Sequence, residues 1–196
     1  LIDQIVDTLW PEKEFNAGQS LLHHATSTLR RALEPDLPEK FSSRYLRVDD
    51  GSIALVLPPD SQVDYETFLR HIRRADWDAA LACYPGEFLP EYRYADWAEM
   101  HRRWLAQDFQ RALLAKARTC MSEKQFQPAL DACRKLLAAE PWQEQAALLG
   151  MQACVELGDS AGALRLYRTL EKTLQTDLGV EPQPELQTLY RSLLNR

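Results

Sequence analysis

The chain has 196 residues, of which 45% are hydrophobic and 27% charged, with a formal net charge of −6. A chain of this length forms one domain or two small ones and buries roughly 70% of its unfolded surface, so it requires no disulfide or metal staple. The composition is that of a soluble globular protein. No apolar run reaches the roughly 18 residues of a membrane span, and the acidic start from Leu1 to Phe15 lacks the order of a signal peptide. The negative total excludes nucleic-acid affinity spread over the whole surface, because such affinity comes from Lys and Arg at phosphates.

In chain order, Ile2 to Trp10 reads as a short helix with Ile2, Ile5, Val6 and Leu9 on one face, ended by Pro11. Asn16 is the expected cap of a second helix from about Ala17 to Leu33, with Leu22, Ala25, Leu29 and Leu33 as its apolar face. Pro35 and Pro38 close it. Tyr45–Val48 and Ile53–Leu57 read as strands joined by Asp49-Asp50-Gly51-Ser52, a hairpin signal. Pro58 to Ser61 is the linker candidate.

Everything beyond reads as helix. Asp64 is expected to cap a helix to about Arg74, and a short one follows from Trp77 to Cys83. Pro85-Gly86 and Pro90 mark a loop. A long helix from about Ala95 to Cys120 should bury Trp97, Met100, Trp104, Leu105, Phe109, Ala112 and Leu113. Trp97 and Trp104, seven residues apart, then share a face and read as core. Helices from Phe126 to Ala139, Trp142 to Leu157, Ser160 to Leu178 and Pro184 to Leu194 complete the chain. Leu164, Tyr167, Leu170, Leu174 and Leu178 define one stripe. Gly179 suits a left-handed helix stop, Pro182 blocks continuation and Pro184 suits a new first turn.

Ala129 and Ala163 lie 34 residues apart within the similar runs Pro128-Ala129-Leu130 and Gly162-Ala163-Leu164. That is the tetratricopeptide period, and Pro141 and the Gly158-Asp159 turn fall where it expects them. A helix pair of this kind cannot bury its own face, so neighbours must stack on it. Such stacks make concave surfaces for peptides or partner helices, and Trp142 is a candidate for lining one.

Cys83, Cys120, Cys133 and Cys154 are widely spaced, form no CxxC pair and read as small buried residues. His23 and His24 point about 100° apart on a helix and do not share one ion easily. His71 and His101 lack ligand spacing, and there is no HExxH and no glycine-rich phosphate loop. Neither a metal, a cofactor nor an acid/base pair is indicated, and no enzymatic activity is expected.

Four ordered motifs resemble the bacterial transcriptional activator domain of SARP-type regulators. They are Tyr84-Pro85-Gly86-Glu87-Phe88-Leu89-Pro90, Asp96-Trp97-Ala98-Glu99, Glu140-Pro141-Trp142-Gln143-Glu144 and Leu178-Gly179-Val180-Glu181-Pro182. In the first 58 residues, Leu9-Trp10-Pro11 and Leu29-Arg30-Arg31-Ala32-Leu33-Glu34-Pro35 resemble the second half of an OmpR/PhoB-type winged helix. That family's leading sheet and first helix have no counterpart here, and Gly51-Ser52-Ile53 replaces its usual Gly-Tyr wing. The expectation is a piece of a longer regulator.

The resemblance implies a mainly α protein: a tetratricopeptide-like helical repeat domain with a partial winged helix-turn-helix, two helices and a β-hairpin, at its N-terminus. The expected division is 1–58 for the partial winged helix, 59–63 for a linker and 64–196 for the helical activator domain. The implied function is that of a DNA-binding, activator-type transcriptional regulator in the cytoplasm. Its implied partners are promoter DNA in the intact regulator, RNA polymerase or another regulator protein, and a second copy in a homodimer, with no membrane.

The expected recognition face is the side of the second helix away from Leu22, Ala25 and Leu29, offering Ser20, His23, His24, Ser27, Arg30 and Arg31. On the wing, Arg44 and Arg47 are placed to reach a phosphate or the minor groove. Residues 1–62 hold six Lys/Arg against ten Asp/Glu, whereas residues 20–47 hold five against three. The alternative reading is therefore a tetratricopeptide-like interaction module whose winged helix no longer binds DNA.

Overall fold

The computed structural model describes residues 1–38, 41–49 and 51–195. The chain is mainly helical and divides into two compact units, Leu1–Val63 with Tyr94–Glu99, and Asp64–Arg93 with Met100–Arg196.

In the first unit, α1 (Ile2–Leu9) ends where the Trp10 N–H bonds the Val6 carbonyl at 2.8 Å, ahead of Pro11. A tight turn follows, with Lys13 N–H on the Trp10 carbonyl at 3.0 Å. That turn lets α2 (Phe15–Leu33) open earlier than expected. Glu14 is its extended first cap, and the Gly18 N–H bonds the Glu14 carbonyl at 2.9 Å. Asn16 therefore lies inside the first turn and is not the cap.

The two helices meet where Val6 lies against Gly18. A Cβ at Gly18 would fall 2.3 Å from Val6 Cγ1, so only glycine fits that approach without displacement. Leu22, one turn on, is buried too. The rest of the expected apolar face is not: Ala25 is exposed, and Leu29 and Leu33 are 42% and 37% exposed. An eight-residue helix reaches about 12 Å, and it meets α2 at its N-terminal end.

The hairpin pairs β1 (Leu46–Asp49) with β2 (Ser52–Leu55) antiparallel, in the register Leu46 to Leu55 and Asp49 to Ser52. Its turn has Gly51 at φ +77°, and Asp50 lies outside the described residues. The strands are shifted from expectation: Tyr45, Val56 and Leu57 lie outside them, although the Val56 N–H still bonds the Tyr45 carbonyl at 2.7 Å. The Ile2 N–H reaches the Gly51 carbonyl at 3.0 Å and ties the turn to α1.

The second unit contains α3 (Asp64–Arg73), α4 (Trp77–Ala82), the greater part of α5 (Asp96–Ser122), α6 (Phe126–Ala139), α7 (Glu144–Glu156), α8 (Ser160–Thr173) and α9 (Pro184–Leu194). The hairpins α3–α4, α5–α6 and α7–α8 share one turn. Ala75, Lys124 and Gly158 are left-handed at φ 55°, 59° and 77°. The N–H of the following residue, Asp76, Gln125 or Asp159, closes on the carbonyl of His71, Cys120 or Cys154 at 3.0, 2.8 and 2.8 Å. Five positions after each left-handed residue stands a fully buried alanine: Ala80, Ala129 and Ala163. A small residue there lets the helices approach closely. Sequence spacing reveals the last two copies. The first is hidden because the 27-residue α5 stretches its distance from the second.

Two clusters fill this unit. One centres on Phe68, Leu105, Phe109, Leu113 and Leu136, the other on Met151, Tyr167, Leu170, Leu174 and Leu186. Large side chains on α5 are buried from Leu105 onward, while in its first turns only the small Ala98 is enclosed and Trp97, Met100 and Trp104 are exposed, against expectation. The reason within this unit is Arg102, which shares a face with Leu105 and Phe109. Its guanidinium donates to the carbonyls of Phe88, Tyr92 and Arg93 at 3.1, 2.9 and 3.3 Å, so it faces the 84–93 loop in place of Met100 or Trp104.

α7 begins at Glu144, leaving Trp142 exposed in the preceding turn. After α8 the chain makes one wider i→i+5 turn, Leu174–Leu178, which carries Leu178 off its stripe into solvent. Gly179 then takes φ +66° and Pro184 opens α9, as the sequence indicates. Cys120, Cys133 and Cys154 are buried free thiols, and Cys83 is half-buried. Burial, with Cys154 nearby, pushes the Cys133 thiol up to about 12, which keeps it protonated and inert.

Candidate nucleic-acid interface

Each residue of α2 advances about 100° around the axis. With Leu22 turned inward, Ser20, His24, Ser27 and Arg31 form one stripe on the opposite side, flanked by His23 and Arg30. Ser20, His23, His24, Ser27 and Arg31 are exposed, and Arg30 is half-buried. The Ser20 hydroxyl donates to the Asn16 carbonyl at 3.0 Å and keeps its lone pairs for an outside donor.

Two other arginines of the expected set, Arg30 and Arg44, have work inside the unit. Arg30 Nη2 donates to the Pro38 carbonyl at 2.7 Å and to the Phe41 carbonyl, pinning the loop after α2. Arg44 Nε lies 3.2 Å from Glu34 Oε1, and its backbone N–H donates to Glu34 Oε2 at 3.0 Å. The Arg44 side chain is still 78% exposed, whereas that of Glu34 is 3% exposed. The Arg44 guanidinium also stands 5.8 Å from the Tyr45 ring centroid. Arg47 is exposed on β1, opposite Ala54, two residues before the end of that strand.

Sequence reasoning missed the centre of this arrangement. Glu34 is buried and ionised, and its carboxylate accepts from the Ser43 hydroxyl and from Arg44. The Ser43 oxygen in turn accepts from the N–H groups of Tyr45 and Leu46 at 3.2 and 2.8 Å. The Ser43 bond holds the Glu34 carboxyl below its ordinary value, against the opposing cost of leaving solvent, and Arg44 adds to the lowering. The network fixes where β1 starts relative to the end of α2. A serine just before a strand was the one available signal for it, through the local turns that serine forms with backbone N–H groups.

Among the described residues, no helix is long and apolar enough to cross a membrane, and no group of three His, Cys, Asp or Glu could hold a metal ion.

The second unit is built from repeated helical hairpins, and the first contains a helix with an exposed polar stripe and a β-hairpin. Residues 65–194 match the bacterial transcriptional activator domain, and the chain belongs to that family, which is non-enzymatic. Over 97% of its length it is 26% identical to regulatory protein AfsR of Streptomyces griseus and 27% identical to regulatory protein AfsR of Streptomyces coelicolor. It spans about a fifth of the length of each of these relatives, 20% in both cases. Its fold matches a structure of Mycobacterium tuberculosis EmbR in complex with a low affinity phosphopeptide, with a TM-score of 0.74 at 22% identity, covering 99% of this chain and 54% of that one.

Proposed function

We propose that the chain is part of a DNA-binding, activator-type transcriptional regulator of the SARP class. The division is 1–58 as a partial winged helix, 59–63 as a linker and 64–196 as the helical activator domain. The observation that carries this reading is the exposed polar stripe Ser20, His24, Ser27 and Arg31 on a helix followed by a hairpin, in a chain of this family. The serines and His24 meet base edges or phosphates, and Arg31 and Arg47 neutralise phosphates. Arg30 and Arg44 hold the recognition helix and wing in register through Pro38, Phe41 and Glu34, with Arg44 still able to reach a phosphate. The tetratricopeptide-like hairpins contact RNA polymerase, another regulator or a second copy of the chain, and the site of action is the cytoplasm.

In the full-length regulator, Arg31→Ala and Arg47→Ala should each weaken promoter binding across sequences. Each should reduce the slope of log K against log salt by about 0.9. An unchanged slope removes that residue from the phosphate contacts.

The second reading, an interaction module whose winged helix no longer binds DNA, is favoured by the six Lys/Arg against ten Asp/Glu in residues 1–62. If both arginine variants and the parent bind promoter and random DNA alike, this reading replaces the first.

A further inference from the structure

The loop from Tyr84 to Arg93 is not absorbed by any role in DNA binding, yet it is tightly built. Arg102 takes three of its carbonyls, and Leu89 is held left-handed at φ 48°, a conformation that persists in a branched residue only where its surroundings enforce it. With the start of α3 and with α5 the loop encloses a cavity of about 260 Å³. Four aromatic rings line it, those of Tyr65, Phe68, Tyr84 and Phe88. Phe68 and Tyr84 are 5.9 Å apart between ring centroids, and Tyr84 is stacked on Phe109 at 4.4 Å, so this wall is fixed before any ligand arrives.

Among the described residues, the charged ones lining the cavity are two acids, Asp64 and Glu87. Arg102 Nε lies 3.7 Å from Glu87 Oε1 and offsets part of that charge, but Arg102 does not line the cavity, and its guanidinium also donates to three loop carbonyls. Burial and the Glu87 charge together push the Tyr84 hydroxyl up, so it is a neutral donor at physiological pH.

We propose that this aromatic, acid-rimmed cavity binds a small organic cation: an amine or quaternary ammonium with an apolar body. Ring faces attract a cation through their quadrupole, and the two carboxylates supply the counter-charge. The volume is below that of drug-sized pockets and suits a compact ligand. The site belongs to the second unit and does not depend on the DNA-binding reading.

The test is calorimetric titration of the 196-residue chain with benzyltrimethylammonium, and separately with phenylacetate, which has a similar ring and the opposite charge. Saturable one-site binding of the cation, at least tenfold tighter than the anion and weakened by salt, is the expected result. Glu87→Gln keeps the side-chain shape and should weaken the cation at least fivefold. Asp64→Asn, which can still accept the Tyr65 N–H as Asp64 does at 2.7 Å, should do the same. Amide shifts on titrating the parent protein should centre on Tyr65, Tyr84 and Phe88, which tests the site even if a variant fails to fold. Equal binding of the two probes, no saturable binding of the cation, or shifts centred elsewhere would overturn the proposal. DNA affinity enters none of these readouts, so failure here leaves the regulator reading intact, and the reverse holds too.

Discussion

Between residues 1 and 63, Val6, Leu22 and Leu46 are the buried apolar side chains among the described residues, while Phe15, Leu21, Leu29, Leu33, Phe41, Val48 and Leu55 stay exposed. Across α5 to α9 the balance is reversed, with Leu113, Leu136, Met151, Leu174 and Leu186 almost wholly enclosed. The second unit is held by apolar burial between helices, at roughly 25 cal/mol per Å² removed from water. In the first unit burial is thin, and directional bonds fix the geometry: Arg30 on two carbonyls, Glu34 on Ser43 and Arg44, and Ile2 on Gly51. The difference predicts which substitutions damage each unit.

The largest effect should fall on the repeat. Ala163 has no exposure, and a leucine there adds three carbons at a helix crossing. Ala163→Leu should cost about 1–3 kcal/mol in chemical denaturation, and Ala163→Ser less. Ala129 and Ala80 occupy the equivalent positions of the other two hairpins and should respond in the same order of side-chain size. A leucine variant as stable as the parent would mean that the crossing is loose and the repeat register wrong.

A smaller effect is expected in the first unit. Gly18→Ala places a Cβ against Val6 Cγ1, yet alanine returns about 1 kcal/mol of helix propensity. The net loss should therefore be smaller than at Ala163, and it should vanish in the double variant with Val6→Ala, which removes the clashing methyl group. A coupling near zero in that double-mutant cycle would break the assignment of Val6 and Gly18 as the contact joining α1 to α2.

Local signals carried much of the fold. The spans of α6 and α9 were readable because periodicity, proline and capping agree there, and Gly179 marked its left-handed stop unaided. What failed depended on tertiary partners. The stripe Ala25, Leu29 and Leu33 has the right spacing, but spacing cannot say whether anything covers it. Trp97 and Trp104 share a face by count, while Arg102 on a neighbouring face is the residue engaged by the 84–93 loop. For the candidate interface, the stripe on α2 follows from helix geometry and was legible. The inward duties of Arg30 and Arg44 were not, because both arise from bonds across 8 to 11 residues of irregular chain. Glu34 was unreadable for the same reason, since a lone acid at a helix end gives no hint of burial.

That acid gives the smallest and most local prediction. The ordinary value for Glu34 is 4.5, and in the folded protein its carboxyl lies below it, chiefly through the Ser43 hydroxyl. The unfolded chain therefore takes up its proton first as pH falls. The stability contributed by the ionised group is fully present above about pH 4.5 and is lost as pH drops through the lowered folded value. The junction between α2 and β1 should loosen in that acid window while the second unit, which has no buried carboxylate among the described residues, keeps its packing. Amide exchange at Tyr45 and Leu46, whose N–H groups rest on the Ser43 oxygen, reports the change. Glu34→Gln should remove this pH dependence and leave those amides less protected at neutral pH. Ser43→Ala should shift the transition to higher pH, because the main cause of the lowered value is gone. If Tyr45 and Leu46 titrate identically in the parent and in Glu34→Gln, the polar network is not what fixes the hairpin, and the contrast between a unit held by directional bonds and one held by burial would have to be abandoned.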